Sequence, residues 1–166
     1  MKDKRKEQIM AYIVMGIYML FLCWVILFKL ADSIDKIPSR RGINLIPFYY
    51  DQFSGTTLQK NDILFNIALF VPVGFYFTVF KKGKIVSGIL LSALLSLLFE
   101  IVQWIFSLGS SDITDLITNI MGGIIGTLMF IILNKLSKGR EVKIVNIIGA
   151  VLEVCLIVLL ILLSIF

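Results

Sequence analysis

The sequence contains no histidine and only two cysteines in 166 residues. Without histidine, the chain cannot use an imidazole as a base or a metal ligand, which excludes Ser-His-Asp triads and the common zinc sites. Cys23 and Cys155 both lie inside apolar runs and lack the spacing of a metal site or a disulfide framework. They are therefore interpreted as thiols that pack inside the protein or face lipid.

Charged residues are also scarce. They make up 16% of the chain, whereas hydrophobic residues make up 58% and the mean hydropathy is +0.96. Soluble globular domains are about 25% charged and lack uninterrupted apolar runs of ~20 residues. The composition therefore predicts an integral membrane protein in which residues 1–166 form a single domain.

Five apolar runs separated by polar connections predict transmembrane helices. The predicted spans are residues 9–30, 63–80, 85–106, 113–134 and 144–166. The first run is too long for the hydrophobic region of a signal peptide and no cleavage site follows it, so it is interpreted as a retained span. Pro72 and Gly74 predict a kink in the second span. The predicted fold is an all-α bundle of about five membrane helices.

The distribution of basic residues predicts the orientation of this bundle. Eleven of the 16 lysines and arginines fall in the N-terminal segment and in the connections at residues 81–84 and 135–143. Because cytoplasmic segments carry the excess of Lys and Arg, the N-terminus is predicted to be cytoplasmic. The connection at residues 31–62 then lies outside, and its aromatic patch around Pro47 predicts a loop at the membrane interface. The net charge of +5 follows from this topology and indicates no nucleic-acid partner.

One stretch places polar and small residues on a single face of the fourth span. Asp112, Asp115, Asn119, Gly122 and Gly126 follow one another at intervals of three or four residues, which is the spacing of one helix face. Polar side chains are costly in lipid, so this face is predicted to contact protein or water. The two glycines favour close helix packing over a ligand cradle.

The predicted topology brings polar residues from four segments to the extracytoplasmic side of the membrane. Because these segments meet at the same surface, we expect their side chains to form one ligand-binding site. The predicted site consists of Arg40, Arg41, Asn44, Asn66, Glu100, Gln103, Asp112, Asp115 and Asn119. Its three carboxylates, Glu100, Asp112 and Asp115, are also the candidates for catalysis or for binding a divalent cation.

Structural roles are the alternative for the acidic residues of this set. Asp112 and Asp115 fit a helix N-cap with an acidic partner three residues later. Glu100, inside a predicted span, fits an ion pair with Arg40 or Arg41. Such an ion pair and a functional role for Glu100 can coexist.

Glu153 stands apart from the predicted site, near the middle of the fifth span. No lysine or arginine within the membrane is predicted to pair with it, because Lys29, near the end of the first span, is assigned to the outside. It is interpreted either as a carboxyl kept neutral or as a group that faces another subunit of a homo-oligomer.

Four sequence blocks resemble the VanZ-like family. The blocks are Arg41-x-x-Asn44-x-x-Pro47-Phe48, Asn66-x-x-Leu69-Phe70-x-Pro72-x-Gly74-Phe75, Glu100-x-x-Gln103, and Asp112-x-x-Asp115-x-x-x-Asn119-x-x-Gly122-x-x-x-Gly126. They occur in the family's order across about residues 40–126. Many members of the family carry an arginine shortly before the first Asp of the last block, where this chain has Ser110 and Ser111.

The resemblance implies a small multi-pass protein of the bacterial cytoplasmic membrane whose relatives raise resistance to teicoplanin and related lipid-tailed glycopeptides. One hypothesis is a non-enzymatic protein whose outward-facing pocket binds an envelope lipid, a lipid-linked cell-wall precursor or the acyl tail of a lipoglycopeptide. The arginines would then hold an anionic headgroup and the amides would orient it.

The second hypothesis is an intramembrane enzyme that modifies a lipid-linked envelope precursor with its carboxylate cluster. No cofactor motif is evident, and a divalent cation is the candidate cofactor. A pathway for ions or solutes is least favoured, because the inner halves of spans two to four lack the polar residues that it needs.

Overall fold

A computed structural model of the chain describes residues 2–28, 40–48 and 60–165. Five helices account for most of these residues: α1 Lys2–Phe28, α2 Lys60–Phe80, α3 Ile85–Phe106, α4 Ile113–Ser137 and α5 Glu141–Ile165. The described residues also contain two short strands, β1 Arg40–Asn44 and β2 Leu108–Asp112. The predicted helical class of the protein is therefore confirmed.

Among the described residues, the four helices α1 to α4 are long and apolar enough to cross a membrane. The bounds of α3 coincide with the predicted span at residues 85–106. Helices α2 and α4 extend their predicted spans by about one turn at one end. Helix α5 covers most of the predicted fifth span, and its crossing of the membrane stays a prediction, as does the orientation of the bundle.

The long connection predicted between the first two spans is described in part. Residues 29–39 and 49–59, and with them most of the predicted interfacial loop, lie outside the described residues. Around Pro47 the chain turns, and Phe48 adopts a left-handed backbone conformation with φ of 55°. Residues 46–48 are therefore not helical, and the position of the loop at the membrane interface stays a prediction.

Strands β1 and β2 pair in parallel and form a two-stranded ribbon. The register places Arg41 opposite Gly109 and Asn44 opposite Asp112. Parallel strands need a long crossover connection, and here the crossover contains α2 and α3. The strands were not predicted: main-chain pairing between distant segments occurs where the sequence analysis placed connections, and the helical class of the protein is unchanged.

Helices α2 and α4 pack together through backbone contacts at glycines. A Cβ atom added at Gly122 would collide with the carbonyl oxygen of Ile67, and one at Gly126 would collide with the carbonyl oxygen of Val71. Gly74 on α2 makes the reciprocal approach to the backbone of α4. The prediction that Gly122 and Gly126 form a packing face is confirmed, because only a residue without a Cβ fits at these contacts.

Side-chain hydrogen bonds join three helices at one end of the bundle. At the end opposite the ribbon, the Tyr76 hydroxyl donates to Asn146 Oδ1 at 3.1 Å, and Asn146 Nδ2 donates to the Glu7 carbonyl at 2.8 Å. These bonds join α1, α2 and α5. We call this end the basic end, because it also carries the N-terminal lysines and the turn at residues 81–84; the other end is the ribbon end.

Candidate functional site

The ribbon brings the first two predicted site residues into contact. Asn44 Nδ2, at the end of β1, donates to Asp112 Oδ2, at the end of β2, over 3.1 Å. Asn44 Oδ1 in turn accepts from the backbone N–H of Ile46 over 3.1 Å, which holds the chain in a turn as it leaves the strand. Two residues far apart in the sequence are therefore joined at the start of α4.

Asp112 is the N-cap of α4, as predicted. Its Oδ1 accepts from the backbone N–H of Thr114 at 2.7 Å. In a capping box, the acidic residue three positions later would accept from the N–H of the capping residue. That N–H instead donates to Glu100 Oε2 at 2.9 Å, so Glu100 of α3 takes the position predicted for Asp115.

Glu100 is buried, with 7% of its surface exposed, and it lies against the first turn of α4. The Ser111 hydroxyl also donates to the Glu100 carbonyl at 2.6 Å, so α3 and β2 are joined twice at this residue. The N-terminus of a helix favours a nearby negative charge, because its N–H groups carry a partial positive charge. The start of α4 therefore stabilises a carboxylate at Glu100.

Arg41, one of the two predicted ion-pair partners of Glu100, contacts a different part of α3. Its guanidinium donates to the Ile105 carbonyl at 3.1 Å, and its Cζ lies 5.4 Å from the centre of the Trp104 ring. That distance is within the range of a cation–π contact. The predicted pairing of Arg41 with Glu100 is not confirmed, and the side chain of Arg40 lies outside the described residues.

Three further predicted site residues tie helices together by their amide groups. Asn66 of α2 donates to Asp115 Oδ1 of α4 at 2.7 Å. Asn119 of α4 donates to Ser96 Oγ of α3 at 3.0 Å. Gln103 of α3 is buried and donates to the Ile26 carbonyl of α1 at 2.9 Å. These bonds pair polar groups across helices, whereas Asn119 Oδ1 is buried without a hydrogen-bond partner among the described residues.

We expect Asn66→Ala to lower the free energy of unfolding by about 2 kcal/mol, since it removes a hydrogen bond to a carboxylate in a half-buried position. The midpoint of thermal unfolding of the detergent-solubilised protein measures this loss. Asn134→Ala is the matched control, because Asn134 is an exposed amide near the other end of α4 and should change stability by less than about 0.5 kcal/mol. Equal midpoints for the two variants would contradict a stabilising Asn66–Asp115 bond.

A cavity of about 340 Å³ opens between α3, α4 and the ribbon. Its apolar walls consist of Ile43, Leu45, Leu97, Ile101, Trp104, Ile113 and Leu116. Its polar end consists of Glu100, Ser111 and Asp112. Of the predicted site residues, only Glu100 and Asp112 are in the described lining. Asn66, Gln103 and Asn119 instead form hydrogen bonds between helices. We call this cavity the ribbon pocket.

Two residues that the sequence analysis did not assign hold the ribbon pocket in shape. Thr114 is buried, and its hydroxyl oxygen accepts from the backbone N–H of Phe48 at 3.0 Å. Ser111 joins β2 to α3 and also lines the pocket. A hydroxyl residue two positions after an N-cap is a common feature of helix starts, so the sequence offered no specific signal for Thr114.

Each candidate catalytic carboxylate accepts a hydrogen bond from another part of the protein. The donor is a backbone N–H for Glu100, a side-chain amide and a backbone N–H for Asp112, and a side-chain amide for Asp115. Within the described residues, no three Asp, Glu or Cys side chains are grouped so that they would hold a metal ion. The described contacts therefore hold each of the three carboxylates in place through a donor from another residue.

A helical bundle with four membrane-length helices and a partly polar pocket at one end defines a helical membrane protein. Residues 15–134 match the VanZ/LLP1 family, so the chain belongs to that family. It is 32% identical over 148 residues to Protein VanZ of Enterococcus faecium. The aligned region covers 87% of this chain and 88% of that protein. No solved structure matches the chain. The resemblance found in the four sequence blocks is confirmed.

Proposed function

We propose that this protein lowers the susceptibility of a bacterium to teicoplanin and related lipid-tailed glycopeptides by binding an amphiphile in the ribbon pocket. The family membership and the similarity to the enterococcal VanZ support the resistance function. The amphiphile is an envelope lipid, a lipid-linked cell-wall precursor or the acyl tail of the drug. Binding at the membrane surface would keep the drug from its target.

The observation that carries this proposal is the composition of the ribbon pocket. Its volume of about 340 Å³ lies within the range of small-molecule sites, which combine mostly apolar walls with a few placed polar groups. Glu100 and Asp112 lie at one end of an otherwise apolar lining. An amphiphile matches this division, because its chain fits the apolar walls and neutral hydrogen-bond donors of its headgroup, such as hydroxyl or amide groups, meet the carboxylates.

The position of the pocket on α3 favours entry from the membrane. Leu97 and Ile101 line the pocket and are also 43% and 45% exposed, so the pocket borders the outer surface of the bundle. Trp104, at 41% exposure, contacts Arg41 at the same edge and is of the type that anchors proteins at the membrane interface. Arg41 is thus positioned to attract an anionic headgroup or a phosphate.

The orientation completes the proposal. The N-terminal lysines, the turn at residues 81–84 and the connection between α4 and α5 gather at the basic end, which supports a cytoplasmic basic end and a bundle of five spans in the bacterial cytoplasmic membrane. The ribbon pocket then faces outward. That is the side on which glycopeptides meet their lipid-linked targets.

A pair of variants on one helix tests the pocket directly. Leu97→Trp places a large ring inside the ribbon pocket, whereas Leu94→Trp places the same ring on an exposed position one turn away that is not in the described lining. We expect Leu97→Trp to restore drug susceptibility and Leu94→Trp to retain resistance. The minimum inhibitory concentration of teicoplanin, at equal amounts of protein in the membrane, measures the difference.

A glycopeptide without an acyl tail serves as the control compound, and its inhibitory concentration is expected to change less between the two strains. Full resistance in Leu97→Trp would contradict binding in this pocket. The enzyme hypothesis is tested by mass spectrometry of membrane lipids and lipid-linked precursors with and without the protein. A new or missing lipid species would favour the enzyme, and identical profiles favour binding.

A further inference from the structure

A second and larger cavity lies inside the bundle, between α1, α2, α4 and α5, with a volume of about 580 Å³. Aliphatic and aromatic side chains make up most of its lining. The lining residues with a side-chain oxygen are Tyr18, Tyr76 and Glu153, and the described lining contains no lysine or arginine. We call it the inner cavity. It shares no lining residue with the ribbon pocket.

Both tyrosine hydroxyls of the inner cavity already donate to other groups. Tyr18 donates to the Leu69 carbonyl at 2.6 Å, and Tyr76 donates to Asn146 Oδ1 at 3.1 Å. Each hydroxyl has a single proton, so neither can donate to Glu153 as well. Glu153 Oε1 is buried and has no hydrogen-bond partner among the described residues. The described lining therefore leaves one oxygen of the Glu153 carboxyl without a hydrogen-bond partner.

A carboxyl oxygen that is buried without a partner is unfavourable, because burial removes its hydration without replacing it. The described lining of the inner cavity supplies no lysine or arginine to offset this cost. A ligand that carries a protonated amine on an apolar body would supply both the missing charge and contacts to the apolar walls. Charge complementarity thus selects a cation over a neutral or anionic amphiphile.

The inner cavity is accessible from lipid. Leu20 of α1 and Leu152 of α5 line it, and they are 74% and 64% exposed at the outer surface of the bundle. Tyr18 and Pro72 are near the middle of two helices that are long enough to span a membrane. Because α1 and α5 expose these lining residues at the outer surface, a hydrophobic molecule dissolved in the bilayer would reach the cavity without crossing water.

We propose that the inner cavity binds a lipophilic cation, a molecule with a hydrocarbon or aromatic body and one protonated amine that pairs with Glu153. This site is separate from the ribbon pocket and does not depend on the resistance function. Its recognition rests on one ion pair in an environment of low dielectric constant, where a charged hydrogen bond is stronger than it is in water.

The two tryptophans of the chain provide a test. Trp24 lines the inner cavity and Trp104 lines the ribbon pocket, so the variant Trp104→Phe retains a single tryptophan that reports on the inner cavity. The full chain in nanodiscs of neutral phosphatidylcholine is titrated with dodecylamine that carries two bromines on its chain, and with the equally brominated dodecanol. Bromine quenches tryptophan fluorescence on contact. We expect half-maximal quenching of Trp24 at about a tenfold lower concentration of the amine than of the alcohol.

Glu153→Gln in the Trp104→Phe background is expected to abolish the tenfold preference, because the amide has the same shape and no charge. Glu153→Met is a second variant, without polar groups, and it tests the same loss of charge if glutamine disturbs packing. Asp62→Asn is the matched control, since Asp62 is an exposed carboxylate at the start of α2 and the preference should remain. Equal quenching by the amine and the alcohol, or a preference that survives both substitutions of Glu153, would overturn the proposal.

Discussion

Gly126→Ala is expected to lower the midpoint of thermal unfolding by about 6–12 °C, which corresponds to about 3 kcal/mol for a chain of this size. The new Cβ would overlap the Val71 carbonyl oxygen and lie 2.8 Å from the backbone nitrogen of Phe75. These are backbone atoms of α2, so the contact is relieved only if α2 and α4 move apart. The midpoint is measured by size-exclusion chromatography of the detergent-solubilised protein after heating.

Gly16→Ala is the matched control, because it makes the same chemical change inside another membrane-length helix. An added Cβ at Gly16 has no neighbour within 4 Å. Alanine favours the helix over glycine by about 0.5–1 kcal/mol, so this variant should be as stable as the original protein or slightly more so. A loss of stability at Gly16 equal to that at Gly126 would show that the packing contact is not the cause.

The sequence was sufficient to predict features that depend on local pattern. Helix α3 has the predicted bounds because its apolar run ends sharply at basic and polar neighbours. Asp112 caps α4 because a short acceptor before an apolar run favours that position. Gly122 and Gly126 pack against α2 because small residues four apart form a flat helix face. Each of these features is set by residues close together in the chain.

Features that depend on pairing between distant segments were not predictable. The strands Arg40–Asn44 and Leu108–Asp112 contain few β-branched or aromatic residues, so neither has a strand pattern by itself. The register between them determines that Asn44 meets Asp112 and that Arg41 reaches Trp104. The sequence contained no signal for the hydrogen bond that Glu100 accepts from the backbone N–H of Asp112, because that N–H belongs to β2.

The rotation of α5 was equally undetermined by the sequence. Most residues around this helix are apolar, so its pattern does not show which face meets the bundle. The structure turns Glu153 toward α1, α2 and α4, where it lines the inner cavity. The two interpretations of this carboxyl, a neutral group or a contact with another subunit, stay predictions.

Asp112→Ala is expected to lower the free energy of unfolding by about 3 kcal/mol. It removes the N-cap of α4, which contributes about 1 kcal/mol, and the hydrogen bond from Asn44 to a carboxylate, which contributes about 2 kcal/mol. Asp112→Asn should lose only the second contribution, because its amide oxygen still caps the helix while its amide nitrogen faces the Asn44 nitrogen. The thermal midpoint in detergent separates the two variants.

The exchange of the two side chains distinguishes a structural carboxylate from one that serves the pocket. The double variant Asn44→Asp/Asp112→Asn again pairs one carboxylate with one amide, so we expect most of the stability lost in Asp112→Asn to return. The negative charge, however, has moved from a residue that lines the ribbon pocket to one outside its described lining. If the headgroup of a bound amphiphile requires a charge at Asp112, the exchanged protein should be stable and yet fail to confer resistance. Resistance restored together with stability would instead assign Asp112 to the fold alone, and the polar end of the pocket would then depend on Glu100 and Ser111.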